Sequence, residues 1–327
     1  MNRRAFIALL GGAAVAWPLV ARTQHLGKVW RIGFVTVVSA QAFSSLYAGF
    51  LQGMRELGHV EGRDFVTEPR SAEGEPSRLP DLAAELVRLK VDVIVTGSTA
   101  AMRPLKQATT TIPIVMAYST DPVGNGLVSN LARPGANVTG LAGSSDDTAP
   151  KQVELLATVV PNVSRIGILG NPTNLTYPPV RKSAEEAAKK SDISIFATEA
   201  RNPQEIENAL ASFGKERVQA VLVTGDPVFF SWRQQITELA LQGRLPSMFV
   251  QREYAEAGGL MSYGESLSEF YRRAANYVDK IFKGANPADL PIEQPTLFKL
   301  VINRKTADAL GVTIPPQLYI FADEVIE

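Results

Sequence analysis

Cysteine is absent from the 327-residue sequence, and histidine occurs twice. Without cysteine there is no disulfide, no thiolate metal site, no thiol nucleophile and no lipid attached through a cysteine. The two histidines are His25, near the N-terminus, and His59, in the turn Gly58-His59-Val60-Glu61-Gly62. Neither stands in a pattern that a histidine-based triad needs, and His59 reads as an exposed turn residue. Surplus charge is missing as well, since 33 basic and 33 acidic residues give a formal net charge of +0. That balance provides no footprint for nucleic acid or for an anionic membrane surface. No Gly-x-Gly-x-x-Gly follows a strand pattern, and no Gly-x4-Gly-Lys-Ser/Thr loop or Gly-x-Ser-x-Gly elbow occurs. Asp146-Asp147 is an isolated acidic pair and reads as a solvated loop rather than a metal site. No catalytic residue, metal or cofactor is therefore expected. Beyond residue 24 no apolar run reaches the ~20 residues that cross a bilayer.

What is present begins with an address. Arg3-Arg4 precede Ala5-Phe6-Ile7, and an uncharged run of small and apolar residues continues to Val20 before Ala21-Arg22-Thr23. A basic start, a modest apolar centre and a small-residue end make a secretory signal peptide, here over residues 1–24. The Arg-Arg-x-Phe start, with Gly11-Gly12 diluting the apolar run, is similar to a twin-arginine signal, a bacterial export route. The mature chain is expected to be soluble, without a lipid anchor, in the periplasm.

The rest of the chain is organised around one short pattern that occurs twice. Val93 to Leu105 reads VIVTGSTAAMRPL, and Val221 to Ser231 reads VLVTGDPVFFS. A β-branched run that stops at Thr-Gly and opens a helix is the strand–turn–helix unit of a parallel α/β sheet. Other pairs recur in the same order. Arg31-Ile32-Gly33 returns as Arg165-Ile166-Gly167, Thr67-Glu68 as Thr198-Glu199, and Ile112-Pro113 as Leu245-Pro246, at offsets of 134, 131 and 133 residues. Self-similarity at a nearly constant offset reflects a repeated unit. The fold expected is α/β, with two similar Rossmann-like lobes built on parallel sheets.

Apolar periodicity predicts helices over 43–57, 79–89, 151–159, 181–190, 203–213, 230–241 and 267–282, with a further one opening at about Thr99. Strand-like runs fall at 29–38, 64–70, 93–96, 114–118, 165–169, 193–197, 221–224, 246–250, 260–264 and 299–302. A short crossing segment is expected over 138–142, and the chain enters the second lobe near Gly143.

In parallel sheets ligands sit beyond the carboxyl ends of the strands, where helix N-termini offer free N–H groups. The polar residues at those ends are Ser39, Ser98, Thr99, Asp121, Asn171, Asn174, Thr224 and Asp226. Hydroxyls, amides and two carboxylates bind rather than catalyse. Ser98 and Thr99 open a helix suited to a carboxylate, while Asp226 or Asp121 suits an ammonium group. Plain N-capping is the competing role for Ser98 and Asp226. Aromatic rings near the same edges, Phe43, Tyr118, Tyr177, Phe229, Phe230, Trp232 and Tyr263, suit a ligand with an apolar body and a zwitterionic end. Of these, Phe43, Tyr118 and Tyr263 are the expected ligand contacts.

Several longer motifs carry a resemblance. They are Glu56-Leu57-Gly58-His59-Val60-Glu61-Gly62, Leu79-Pro80-Asp81-Leu82-Ala83-Ala84-Glu85-Leu86-Val87, Asp121-Pro122-Val123-Gly124 and Arg133-Pro134-Gly135-Ala136-Asn137-Val138-Thr139-Gly140. Glu256-Ala257-Gly258-Gly259-Leu260-Met261-Ser262-Tyr263-Gly264 and Ala322-Asp323-Glu324-Val325-Ile326 complete the set. Over essentially the whole mature chain the sequence resembles the ABC-transporter substrate-binding proteins of the tryptophan/tyrosine type. The resemblance implies a type I periplasmic-binding-protein architecture with three crossings and a ligand cleft at the hinge. It divides the chain into an N-terminal lobe of 28–142 plus about 257–285 and a C-terminal lobe of 143–256 plus about 286–327. It also implies delivery of a small molecule, an aromatic amino acid or related aromatic carboxylate, to an ABC permease and its ATPase, and the chain is expected to be a monomer. By position, Ser98, Thr99, Asp121, Asn171, Asn174 and Asp226 match ligand-facing loops of that family. A ligand sensor for a membrane kinase would share the fold, and a secreted hydrolase would need a clustered acid–base pair that the sequence does not display.

Overall fold

The computed structural model describes residues 28–143, 145–294 and 298–327, with nothing said of the side chains of 145–147. The expected signal peptide and the Asp146-Asp147 side chains lie outside what is described. In the first lobe β1 (Trp30–Thr36), α1 (Ala40–Glu56), β2 (Phe65–Ser71), α2 (Leu79–Arg88), β3 (Val93–Thr96), α3 (Thr99–Ala108), β4 (Ile114–Met116) and β5 (Val138–Gly140) follow one another. The second lobe continues with α4 (Ser145–Val159), β6 (Arg165–Gly170), α5 (Tyr177–Lys189), β7 (Ser194–Glu199), α6 (Pro203–Lys215) and β8 (Ala220–Val223). Then come α7 (Pro227–Ser231), α8 (Arg233–Gln242), β9 (Ser247–Phe249), α9 (Arg252–Glu256) and β10 (Met261–Gly264). The chain ends with α10 (Leu267–Phe282), β11 (Lys299–Asn303), α11 (Arg304–Leu310), α12 (Pro316–Phe321) and β12 (Glu324–Ile326).

The sheets repeat one another. The first runs β2-β1-β3-β4-β5, and the second runs β12-β11-β10-β9-β8-β6-β7, so β2-β1-β3-β4 and β7-β6-β8-β9 share one strand order. The duplicated Arg-Ile-Gly lies at equivalent places on β1 and β6. A Cβ on Gly33 would meet Leu86 of α2 at 2.7 Å, and one on Gly167 would meet Phe213 of α6 at 2.6 Å. Each glycine lets a helix lie close on its sheet. The strands beside them are buried on both faces, as helices covering both sides of a parallel sheet require. The architecture is the expected two-lobed α/β fold of the type I periplasmic-binding-protein kind.

Four expectations change. The sheets are not wholly parallel, because β11 runs antiparallel to β10. The helix between β10 and β11, α10, packs on α1 of the other lobe rather than on the second sheet, so it does not serve as the crossover that a parallel pair needs. The expected return to the first lobe at about 257 falls later, because β10 pairs with β9 and β11 in the second sheet. The first lobe is rejoined by α10, which packs on α1, and is left again after Glu293, whose backbone bonds Gly140 and Ala142. The helix expected over 230–241 is two helices meeting at Trp232. His59 is not an exposed turn residue. It is half-buried, with Nε2 2.9 Å from Asp279 Oδ1 on α10.

Helix α10 is held to α1 through small residues. A Cβ on Gly53 would meet Ala275 Cβ at 2.8 Å and the Arg272 backbone, whereas one on Gly214 of α6 meets nothing within 4 Å. Gly53→Ala is expected to destabilise the chain by about 1–3 kcal/mol through overpacking. Gly214→Ala is expected to stabilise it by about 0.5–1 kcal/mol through helix propensity. Urea unfolding of the two variants beside the parent checks both signs.

Candidate functional site

Where the two sheets face each other their carboxyl ends enclose a cavity of about 790 Å³. The first lobe contributes Thr36, Val37 and Val38 after β1, Gly97, Ser98 and Thr99 after β3, and Tyr118 and Thr120 after β4. The second contributes Asn171, Thr173 and Asn174 after β6, Gly225, Asp226 and Val228 after β8, and Val250 and Gln251 after β9. Leu267 and Tyr271 reach in from α10. Among the described residues no group of three or more His, Asp or Glu could hold a metal ion. No helix among them is long and apolar enough to cross a membrane.

Asp226 governs the second lobe's wall. It is 6% exposed and is the N-cap of α7. Its Oδ1 accepts from the Val228 N–H at 2.8 Å and the Phe229 N–H at 3.3 Å. Its Oδ2 accepts from Asn174 Nδ2 at 2.9 Å and Asn171 Nδ2 at 3.2 Å. The two asparagines belong to consecutive Asn-x-Thr turns. Asn171 Oδ1 accepts from the Thr173 N–H and hydroxyl, and Asn174 Oδ1 accepts from the Thr176 N–H and hydroxyl. Asx turns of this kind consume the carbonyl oxygens, so both amides are left to donate to Asp226. Burial pushes the Asp226 carboxyl above the usual aspartate range, against the pull of those amides and of the two backbone N–H groups.

The first lobe's wall is made of hydroxyls. Ser98 is the N-cap residue of α3, yet its side chain makes no capping bond, and its Oγ is buried without a hydrogen-bond partner. A buried hydroxyl is costly to leave unpaired. Thr99 Oγ1 lies 3.2 Å from Ser119 Oγ and accepts from the Thr120 N–H at 3.2 Å. Behind Gly97 stands the fully buried Tyr271, whose hydroxyl is pushed up by burial. Tyr118 meets Phe270 edge-on at 5.1 Å. Gln251 lies opposite, its Oε1 also buried and unpartnered.

The cavity thus gathers Ser98, Thr99, Tyr118, Asn171, Asn174 and Asp226 from the expected set, and leaves five residues out. Ser39 caps α1 and accepts from the Ala42 N–H at 3.2 Å. Phe43 packs in the core against Phe34 and Tyr271. Asp121 is exposed at φ 38°, its carboxylate accepting from the Gly124 N–H at 2.8 Å within a local turn. The Thr224 hydroxyl donates to the Leu169 carbonyl at 3.1 Å. Tyr263 packs against Phe298 and does not line the cavity. Among the other aromatics Phe230 lines the cavity, Phe229 and Tyr177 are core, and Trp232 stands 42% exposed. Sequence reasoning missed Gln251 and Tyr271. Gln251 follows β9 as Asp226 follows β8, and strand-end position was a signal for it. Tyr271 is placed by tertiary packing of α10, which no local pattern announces.

Two repeated α/β lobes facing each other over a polar-and-apolar cavity define a solute-binding protein of the type I periplasmic kind. The chain belongs to the ABC transporter substrate binding protein family, whose model matches residues 31–326. A tyrosine-binding protein of Clostridioides difficile (strain R20291) is 25% identical over 286 residues, covering 87% of this chain and 82% of that one. The crystal structure of a conserved domain protein from Vibrio cholerae is 29% identical with a TM-score of 0.84, covering 91% of this chain and 100% of that one. A Streptococcus ABC domain in complex with L-Trp is also 29% identical, with a TM-score of 0.81, covering 90% and 100%. A Bacillus halodurans solute-binding protein with bound myo-inositol, 13% identical with a TM-score of 0.59, shares the fold.

The raised carboxyl of Asp226 has a consequence for stability. Above the ordinary aspartate value the folded chain holds this proton longer than the unfolded chain does. The group's contribution to stability therefore falls as pH rises through that window. Asparagine at 226 does not titrate, although its NH2 would oppose donors that Asp226 now accepts, which lowers stability at every pH. Relative to the parent, Asp226→Asn is expected to gain ground in urea unfolding as pH rises above the ordinary aspartate value of about 4. A difference that stays flat over that range would mean an ordinary carboxyl.

Proposed function

We propose that the chain captures an aromatic amino acid, or a related aromatic carboxylate, in the interlobe cavity. It then delivers this ligand to an ABC permease and its ATPase, working in the periplasm. The observation that carries the reading is the opposition of two groups across one cavity. On the first lobe stands the unpartnered hydroxyl of Ser98 at the N-terminus of α3, and on the second stands the buried carboxylate of Asp226. A zwitterion complements that pair. Its carboxylate meets Ser98, Thr99 and the free N–H groups of α3. Its ammonium meets Asp226 in a charge-assisted bond, and its ring packs among Tyr118, Phe230 and Leu46. A cavity of about 790 Å³ is within the usual range for small-molecule sites. The tyrosine-binding relative and the L-Trp complex support the choice of ligand. The proposed activity is binding and release, with no bond made or broken.

A ligand that binds the folded state raises its melting temperature by mass action. L-tryptophan or L-tyrosine is expected to do so with the mature chain, and calorimetry then gives Kd. Asp226→Asn is expected to weaken binding of that amino acid by about 2 kcal/mol or more, at least about 30-fold in Kd. Binding of indole-3-propionate, which lacks the ammonium, should change far less. Equal losses for the two probes would remove Asp226 as the ammonium partner. Absence of a melting shift with either amino acid would remove the ligand class.

A further inference from the structure

Ser39 was expected at the ligand, but it meets the other lobe instead. Its backbone N–H donates to Ser231 Oγ at 3.1 Å. The neighbouring N–H groups of α1 are spent within the first lobe, that of Ala40 on Glu73 Oε1 at 3.1 Å and that of Ala42 on Ser39 Oγ. Ser231 closes the C-terminal end of α7, where its hydroxyl also donates to the Pro227 carbonyl at 3.1 Å. At the opposite end of this five-residue helix is Asp226, and Val228 and Phe230 between them line the cavity. The far end is braced as well. Arg233 Nη1 donates to the Phe230 carbonyl at 2.9 Å, and its guanidinium lies 4.8 Å from the Phe230 ring centre.

We propose that the Ser39–Ser231 hydrogen bond is the latch that holds the two lobes together, with α7 as the rigid connector between the ligand seat and the seam. The proposal deepens the reading of the cavity as a ligand site and rests on it. A ligand engaged at Asp226 fixes the start of α7, and the same helix presents Ser231 to the N-terminus of α1. By linkage, whatever strengthens the seam also strengthens ligand binding by the same factor. The donor is a backbone N–H and is set by the position of α1, so the Ser231 hydroxyl is the removable half. Ser231 does not line the cavity. It is a positioning residue, and it acts on how long the closed state lasts.

The test uses the mature chain, whose lack of cysteine makes a thiol pair clean to read. In a Ser39→Cys, Ser231→Cys double variant, a mild oxidant is expected to build an intramolecular disulfide over hours even without ligand. A minor closed population is drained into the cross-link as it forms. Absence of that cross-link in ligand-free protein would overturn the latch. Separately, Ser231→Ala is expected to raise the dissociation rate of L-tryptophan roughly 3- to 10-fold, the scale of one hydrogen bond. Association is expected to stay the same, and Ser231→Thr to restore slow release. An unchanged dissociation rate in Ser231→Ala would overturn the latch while leaving the ligand reading intact. If the parent takes up neither L-tryptophan nor L-tyrosine, the ligand reading fails, and the ligand-free cross-link alone decides the latch.

Discussion

A carboxylate taken out of water must recover from the protein the hydrogen bonds it loses, or stay protonated. Asp226 recovers four, from two segments more than fifty residues apart in the chain. That requirement explains the shape of the second lobe's wall. The Asn171–Thr176 segment coils into two consecutive Asx turns, so each asparagine spends its carbonyl oxygen locally and keeps its amide for Asp226. Helix α7 is only five residues long, too short for propensity to hold it alone. It exists because Asp226 caps it and Phe229 and Phe230 bury beneath it. Removing the whole side chain, cap oxygen included, would release the turn, the cap and the ring positions together.

The first lobe solves the opposite problem. Its wall lines the cavity with one carboxylate, the exposed Glu75, and offers the start of α3 with hydroxyls on either side. Ser98 stands where a capping serine would stand but does not cap, and its Oγ is left without a partner. Helix α1 shows the ordinary outcome, since Ser39 in the same position does cap, onto the Ala42 N–H. The same residue type at the same helix position is thus spent locally in one case and held in reserve in the other. The two serines also differ in backbone, Ser39 at φ −58° and ψ 154° and Ser98 at φ −131° and ψ 118°.

These contrasts account for what was legible in the sequence. The duplicated lobes were legible because they rest on local, repeated signals. Thr-Gly ended a buried strand twice, and Arg-Ile-Gly placed a glycine under a covering helix twice. The inner cavity residues were legible where strand end and helix start coincide, as at Ser98, Thr99 and Asp226. Position along the chain does not record direction, and there the reading failed. Thr224 ends its strand one residue before the turn, and its hydroxyl points back to Leu169. Asp121 is consumed by its own turn. Phe43 lies on the face of α1 that meets α10, an element arriving more than two hundred residues later. Tyr271 was missed for the same reason, because α10 reaches the cavity only by returning to the first lobe.

The division of labour between the lobes bears on what a ligand must be in order to close them. A ligand shifts an open–closed equilibrium only by the difference in its affinity for the two states, and equal contact in both shifts nothing. On the proposed reading an ammonium alone engages Asp226 on one lobe, and a carboxylate alone engages Ser98 on the other. Either fragment leaves half the cavity's polar groups facing water, so its affinity for the open form is nearly its affinity for the closed one. A zwitterion with an apolar body gains its second set of contacts only when the lobes meet. Closure then follows from holding both charges on one molecule, and the apolar middle of the cavity selects among molecules that do.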